Sequence, residues 1–487
     1  MIFTEEQALL KGREQFDQII ALVQQAADEH QRIDTLERTL LSQLLALGHS
    51  LLGVFLARQG EGDQGQSLPD HHGQTLKRLP QPHHRRYLSV FGEHAITRFV
   101  YGSREGQKIQ HVPLDEQLGL PQGDFSYLLQ DWSQRLCLKQ SFAEAAESLQ
   151  MLLGLSLGVR ALEQINHDVA RSAPAFRDQA EPPPATEEGS ILVVTADGKG
   201  VPMRRPVEKT GPQPHHRRTK GEKANKKQMA CVGAVYSIAP FVRDASSIVD
   251  EVVRHQQAQK RPRPRHKRVW AEMSRDVAGF PVTAKEGLFC RLWSELAHRN
   301  PGDERPVVCL MDGERALWEA KKAYFAEAVG VLDIFHVMER LWAVSHCLHK
   351  EGSAQASRFV AEGLRSLLEG RVGSVIGGWR QRLTKGQFSA SRRRVIEGAI
   401  EYFENNREHM KYDEYLAAGY PIGSGVAEGA CRHLVKDRME QAGMRWTVAG
   451  AQAMLHVRGL YLNDEWEDYM TFHIEREQDR LYRRSAA

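Results

Sequence analysis

Two short aliphatic runs, each closed by an aspartate, constrain this chain more than any other feature. Residues 191–194, in ILVVTADGKG, and 307–310, in VVCLMDGERALW, carry no polar alternate. Strands of that composition have to be covered on both faces, so they belong to a sheet between helical layers. The first run leads to Asp197 and the second to Asp312. A third acid, Glu428, follows a glycine-rich turn in YPIGSGVAEGACRH. A carboxylate at the end of a buried strand is costly to desolvate unless it is paired or holds a metal. Three of them, drawn from distant parts of the chain, could hold two divalent cations for phosphoryl transfer. Taken singly, each is equally an ordinary cap or Asp-Gly turn residue.

Composition bounds the remainder. At 487 residues, the chain has room for about three domains. Its hydrophobic content of 41% suffices for packed cores, and a mean hydropathy of -0.48 points to a soluble protein. The six cysteines are scattered with no CxxC spacing, which argues for a reducing compartment and against both a disulfide framework and a zinc knuckle. The opening MIFTEEQ lacks the basic-then-apolar pattern of a secretion signal. Residues 39–57 are uncharged, but Gln43, His49 and serines interrupt them. Leu40, Leu44, Leu47, Leu51 and Phe55 form one helical stripe, so the segment reads as a core or interface helix rather than a membrane span.

A net charge of +3 conceals two basic clusters. Residues 199–227 hold ten Lys and Arg against two Glu, among them Arg204, Arg205, Arg217 and Arg218. Residues 254–268 hold seven basic residues and no acid, with Pro262 and Pro264 favouring extended backbone. Such clusters commonly track a phosphate backbone, though each also reads as a solvated loop. Both fall between the first two acids, where nucleic acid would approach them.

The organisation follows from periodicity. Residues 1–57 read as a helical arm suited to oligomerisation. Residues 58–86, polar and rich in Gly, Pro and His, read as a linker. His71, His72, His83 and His84 lack the spacing of a metal site. Residues 87–124 suggest a small three-stranded sheet. Within 125–178, Ser141 is a plausible N-cap, Gly154 and Gly158 flank a turn, and a second amphipathic helix starts at Val159. That pattern suits a helix-turn-helix DNA reader, with Arg160, Gln164, Asn166 and His167 near bases or phosphates, or a mere packing unit. Residues 190–337 form the first part of an α/β core, with strands at 191–196, 228–237, near Phe241, at 307–311 and at 330–335. Residues 338–418 read as an all-α insertion, and 419–487 as the second part of the core with a C-terminal tail. A helix from Val426 places Glu428 in its first turn, with Arg432, Lys436, Arg438 and Arg445 around it for phosphates and Trp446 for stacking.

The blocks ADGKGVPMRRP, DIFHVMERLW and YPIGSGVAEGACRHLVKDRMEQAGMRW resemble the signature blocks of DDE transposases from bacterial insertion sequences, in the Kra group related to Mutator-type elements. The resemblance spans residues 85 to 460 and is most specific in the last block. It implies an RNase H-like mixed sheet, with Asp197, Asp312 and Glu428 as catalytic carboxylates binding two Mg2+ or Mn2+ ions. It also implies DNA as partner, at transposon ends and at the target. Asp333 and His336 match the acid-x-x-His motif of Mutator-type enzymes, as accessory or simply core residues, and Trp342 is placed to stack on a base or to pack. One departure stands out: many such relatives carry zinc-type cysteine pairs ahead of the DNA-binding helices, and this chain carries none. The family implies a homodimer or larger assembly working in the bacterial cytoplasm at the nucleoid, without a membrane. Two other readings keep part of this picture. One is an RNase H-like nuclease or resolvase; the other is a domesticated, non-catalytic DNA-binding protein.

Overall fold

The computed structural model describes residues 5–69, 73–103, 109–204, 227–255 and 260–482. Its contacts separate into two compact units, residues 1–176 with 467–487, and residues 177–466.

In the first unit, α1 (Glu5–Asp28) and α2 (Ile33–Arg58) pack as a hairpin. Much of its apolar surface meets solvent: Leu44, Leu51 and Phe55 of α2 are 49%, 52% and 50% exposed, and Leu10, Phe16 and Ile20 of α1 are exposed as well. Ser50 is the buried residue of α2, so the stripe is no core helix of this chain. By length and composition alone α2 could cross a membrane.

The expected linker is partly strand. β1 (Ser67–Pro69) and β2 (Thr75–Arg78) pair in one small sheet with β5 (Tyr101–Gly102), while β3 (His83–Ser89) and β4 (Gly92–Arg98) form a hairpin. His83 and His84 begin that hairpin, and His84 meets Thr97 at 3.0 Å; His71 and His72 lie outside the described residues. After α3 (Pro113–Gln117) come α4 (Tyr127–Cys137), α5 (Phe142–Leu153), α6 (Val159–Ala170) and α7 (Ala173–Gln179). Ser141 and Glu144 form a capping box at the start of α5, and Gly154 ends it in the left-handed region, at φ 68°. Both helix starts therefore fall where the sequence placed them.

The second unit is built on a mixed sheet of order β12-β11-β6-β7-β8. Its strands are β6 (Ile191–Pro202), β7 (Lys227–Ile238), β8 (Arg265–Met273), β11 (Val307–Met311) and β12 (Val329–Leu332). The hairpin β9 (Arg275–Val277) and β10 (Phe280–Val282) stands apart. Strand β7 runs antiparallel to its neighbours β6 and β8, and β11 and β12 run parallel to β6. The strand expected near Phe241 is not there; after α8 (Ala245–Val252) the third strand is β8, inside the second basic cluster.

Alternation along β6 and β11 sends residues into two cores. Ile191, Val193, Val308 and Leu310 join the larger cluster, and Val194, Ala196, Cys309 and Met311 the smaller one. The smaller is covered by α9 (Ala284–Arg299) and α10 (Arg315–Tyr324). The larger is covered by α11 (Ile334–Leu348), α12 (Ala354–Leu368), α13 (Val372–Lys385), α14 (Ala390–Asn405) and α15 (Tyr412–Ala417). With about 1.5–3 kcal/mol for each aliphatic side chain buried, this two-sided packing fixes both strand ends. Residues 338–418 are helical apart from turns, as read.

The chain then forms α16 (Gly425–Ala430), a π-helix (Cys431–Lys436), α17 (Asp437–Met439) and α18 (Val448–Leu462). Helix α18 covers the edge strand β8: Val269 N donates to Asn463 Oδ1 at 2.7 Å and Met273 N to Gln452 Oε1 at 2.7 Å. These bonds occupy edge donors that would otherwise invite another strand. The last helix, α19 (Trp466–Leu481), departs from the expected core: from Glu467 it packs with the first unit, His473 lying 3.1 Å from Ser172.

Candidate active site

Strand register assembles the site. Ala196 pairs with Met311, and Met311 with Leu332. Asp197, Asp312 and Asp333 each come one residue later, so three acids stand in a row across three adjacent parallel strands, Asp312 and Asp333 just past the ends of β11 and β12 and Asp197 within the longer β6. Neighbouring strands lie about 4.8 Å apart, within reach of a metal pair whose ions sit about 3.5–4 Å apart.

The three acids differ in environment. Asp197 is half-buried and receives Gly198 N at 2.6 Å and Cys431 Sγ at 3.3 Å. Asp312 Oδ1 receives Glu314 N at 2.9 Å. Burial first, and the Asp197 charge second, hold the Asp312 carboxyl above the ordinary aspartate range, while His336 and the Glu314 amide draw it back. No cation among the described residues pairs with either aspartate. Asp333 is wholly buried and fully engaged. It caps α11 through Phe335 N at 2.8 Å and receives both Ser424 N, at 3.1 Å, and the Ser424 hydroxyl. Burial raises its pKa as well, against those bonds. Asp333 is therefore a strut between the β12–α11 turn and the turn before Glu428, and the core alternative describes it better than direct chemistry.

Glu428 lies in the first turn of α16, which packs on β6 and β7. It is exposed. One turn later, Cys431 touches Asp197, and the helix widens into its π segment there, a distortion common at functional sites. Burial pushes the Cys431 thiol up, and the Asp197 charge adds to this. Among the described residues, no three of His, Cys, Asp and Glu are grouped closely enough to hold an ion. The structure thus joins Asp197 with Asp312 and leaves Glu428 on the neighbouring helix. By donor type the two aspartates suit a hard divalent cation.

Two residues escaped the sequence reading. Tyr402, on α14, lies against the Asp312–Gly313 turn: a Cβ at Gly313 would come 2.2 Å from its Cε2. Burial, with the Asp312 charge next, pushes its pKa up to about 12. Arg340, on α11, holds its guanidinium 4.7 Å from the Tyr402 ring centre. Arg340 stands inside DIFHVMERLW, so that block could have flagged it. Nothing in the sequence singles out Tyr402.

The expected DNA contacts divide. Arg160 and Gln164 are exposed on α6, although Gln164 bonds Asp168 at 3.2 Å. Asn166 is buried on Gln134 at 2.9 Å and cannot read a base. Arg204, Arg432, Lys436 and Arg445 are exposed; Arg205, Arg217 and Arg218 lie outside the described residues. Arg438 and Trp446 require correction. Arg438 is fully buried with its guanidinium 5.0 Å from the Trp446 ring centre, and Trp446 Nε1 donates to Met439 O at 3.1 Å. They fasten the turn after the π-helix instead of facing DNA. Trp342 packs half-buried on the larger core. His336 is partly exposed beside Asp312, its Nδ1 3.4 Å from Glu339.

No family model matches the chain, and no curated protein matches it. Among solved structures it is similar to the Drosophila P element transposase strand transfer complex, over 73% of this chain and 83% of that one, at 8% identity and a TM-score of 0.23. That likeness is too loose to assign a fold.

Proposed function

We propose that this chain is a DNA transposase with an RNase H-like core, cutting and joining DNA ends by metal-dependent phosphoryl transfer. The carrying observation is the pair Asp197 and Asp312 on adjacent parallel strands, with Asp312 disfavoured as an anion and, among the described residues, no Lys or Arg paired with either. Such a pair is relieved by a divalent cation or by protonation. The mixed five-stranded sheet with an all-α segment between Asp312 and Glu428 supports the RNase H-like reading.

Bound Mg2+ or Mn2+ would activate the attacking oxygen and stabilise the leaving one. Asp197 and Asp312 would hold it, with Glu428 as third carboxylate. Around them, Cys431 ties the Glu428 helix to Asp197, Asp333 fixes the preceding turn through Ser424, and His336 tempers the charge at Asp312. The α5–α6 pair would read end DNA through Arg160 and Gln164, and exposed Arg432, Lys436 and Arg445 would hold its backbone.

Cleavage and strand transfer of a labelled end from the element's own flanking DNA provide the test. Asp197→Ala, Asp312→Ala and Glu428→Ala are each expected to abolish both steps while binding persists. An active Asp312→Asn protein would falsify the assignment. Cleavage without transfer would mark a nuclease or resolvase instead.

A further inference from the structure

The geometry points to Arg340 as a binding site for a backbone phosphate of the DNA strand entering the Asp197–Asp312 pair, with Tyr402 as its positioning residue. The inference rests on the transposase reading and adds a substrate contact that neither the three acids nor the basic clusters supply.

Position is the first support. Tyr402 occupies the space left free by the missing side chain of Gly313, directly after Asp312. Its ring and hydroxyl pack against the residue that follows Asp312, which places the ring at the rim of the aspartate pair. Arg340 lies over that ring, at 4.7 Å. One helical turn before it on α11, His336 is close enough to act on the charge of Asp312. The guanidinium is thus carried to the edge of the site by two elements, α11 and α14.

Bonding state is the second. Arg340 is exposed and forms no ion pair among the described residues. Arg340 neutralises neither catalytic aspartate, so they stay free for a metal. Stacking holds the guanidinium plane while its N–H donors remain open, which is the arrangement that grips a phosphate bidentately. A lysine could supply the charge but not the stacked plane.

The test is equilibrium binding of a short fluorescent duplex to the full chain in EDTA across a salt series, so that no cleavage intervenes. Arg340→Ala should weaken binding about tenfold, as for loss of one charged hydrogen-bonded contact. It should also flatten the log K against log salt slope by about 0.9, one phosphate's share of released counterion. Arg340→Lys should keep the slope yet bind more weakly. Tyr402→Phe keeps the ring and should bind nearly as the wild type, whereas Tyr402→Ala should follow Arg340→Lys. Wild-type affinity and slope in Arg340→Ala, with the parent protein binding DNA, would overturn the Arg340 site and leave the transposase reading standing. A parent protein that binds no duplex at all would overturn both.

Discussion

Asp312 carries a measurable consequence of its surroundings. Burial and the neighbouring Asp197 hold its folded-state pKa above the ordinary 3.8. Between those two values the folded protein binds more protons than the unfolded one, so this residue's contribution to stability falls as pH rises through them. At pH 7 ionised Asp312 is thus a net cost to the metal-free fold. Asp312→Asn removes that cost and keeps an oxygen for the Glu314 amide. The variant is expected to melt higher than the parent at pH 7, with the gap closing as pH falls toward 3.8 and absent below it. Calorimetry across that range checks the sign; a variant that melts lower at pH 7 would show that Asp312 is stabilised by something the geometry does not hold. Excess Mg2+ should raise the melting temperature of the parent and not of the variant, since it binds the folded state selectively.

At the scale of elements, the turn before α16 depends on one buried strut. Asp333 receives three donors, two of them from Ser424. Ser424→Ala removes the hydroxyl and leaves a buried carboxylate short of a partner, a loss of about 1–3 kcal/mol. Ser424→Thr should retain most of that. Urea unfolding gives the magnitude, and faster amide exchange across residues 420–430 gives the location. An unchanged Ser424→Ala protein would mean that Asp333 does not hold this turn. The same elements show what was legible. β6 and β11 were readable because burial on both faces leaves a continuous apolar run, and α5 and α6 because capping and a left-handed glycine are local signals. β8 was not, since RHKR at its start resembles a DNA-binding loop. Part of the charge is answered within the fold: Arg268 pairs with the distant Glu295 and Glu465, and elsewhere in the cluster Arg254 pairs with Asp250 and Arg261 with Glu251. Arg438 on Trp446 and Arg340 on Tyr402 were likewise hidden, because the fold, not the local pattern, decides whether a charged or aromatic side chain faces solvent. The row of acids was legible one at a time, but their adjacency required the sheet order.

Among the described residues, the first unit exposes a large apolar surface. The α1–α2 hairpin exposes Leu10, Phe16 and Ile20 from one helix and Leu44, Leu51 and Phe55 from the other. Apolar side chains exposed in such number on one hairpin are rare on soluble monomers and mark an interface with protein or membrane. Coupled joining of two DNA ends needs two equivalent sites, which a symmetric pair of subunits supplies. A second copy of this hairpin, packed leucine against leucine, would bury both patches at once. The expected outcome is a dimer or larger assembly by light scattering, with and without DNA, that falls to monomer when residues 1–60 are removed. Leu44→Glu with Leu51→Glu should have the same effect while leaving the melting of the second unit unchanged, because neither leucine belongs to its core. A full-length monomer in the presence of DNA, or an assembly that survives the truncation, would remove the hairpin from this role. Because α2 is also long and apolar enough to cross a membrane, co-sedimentation with lipid vesicles under conditions where no dimer forms would assign the same surface to lipid instead.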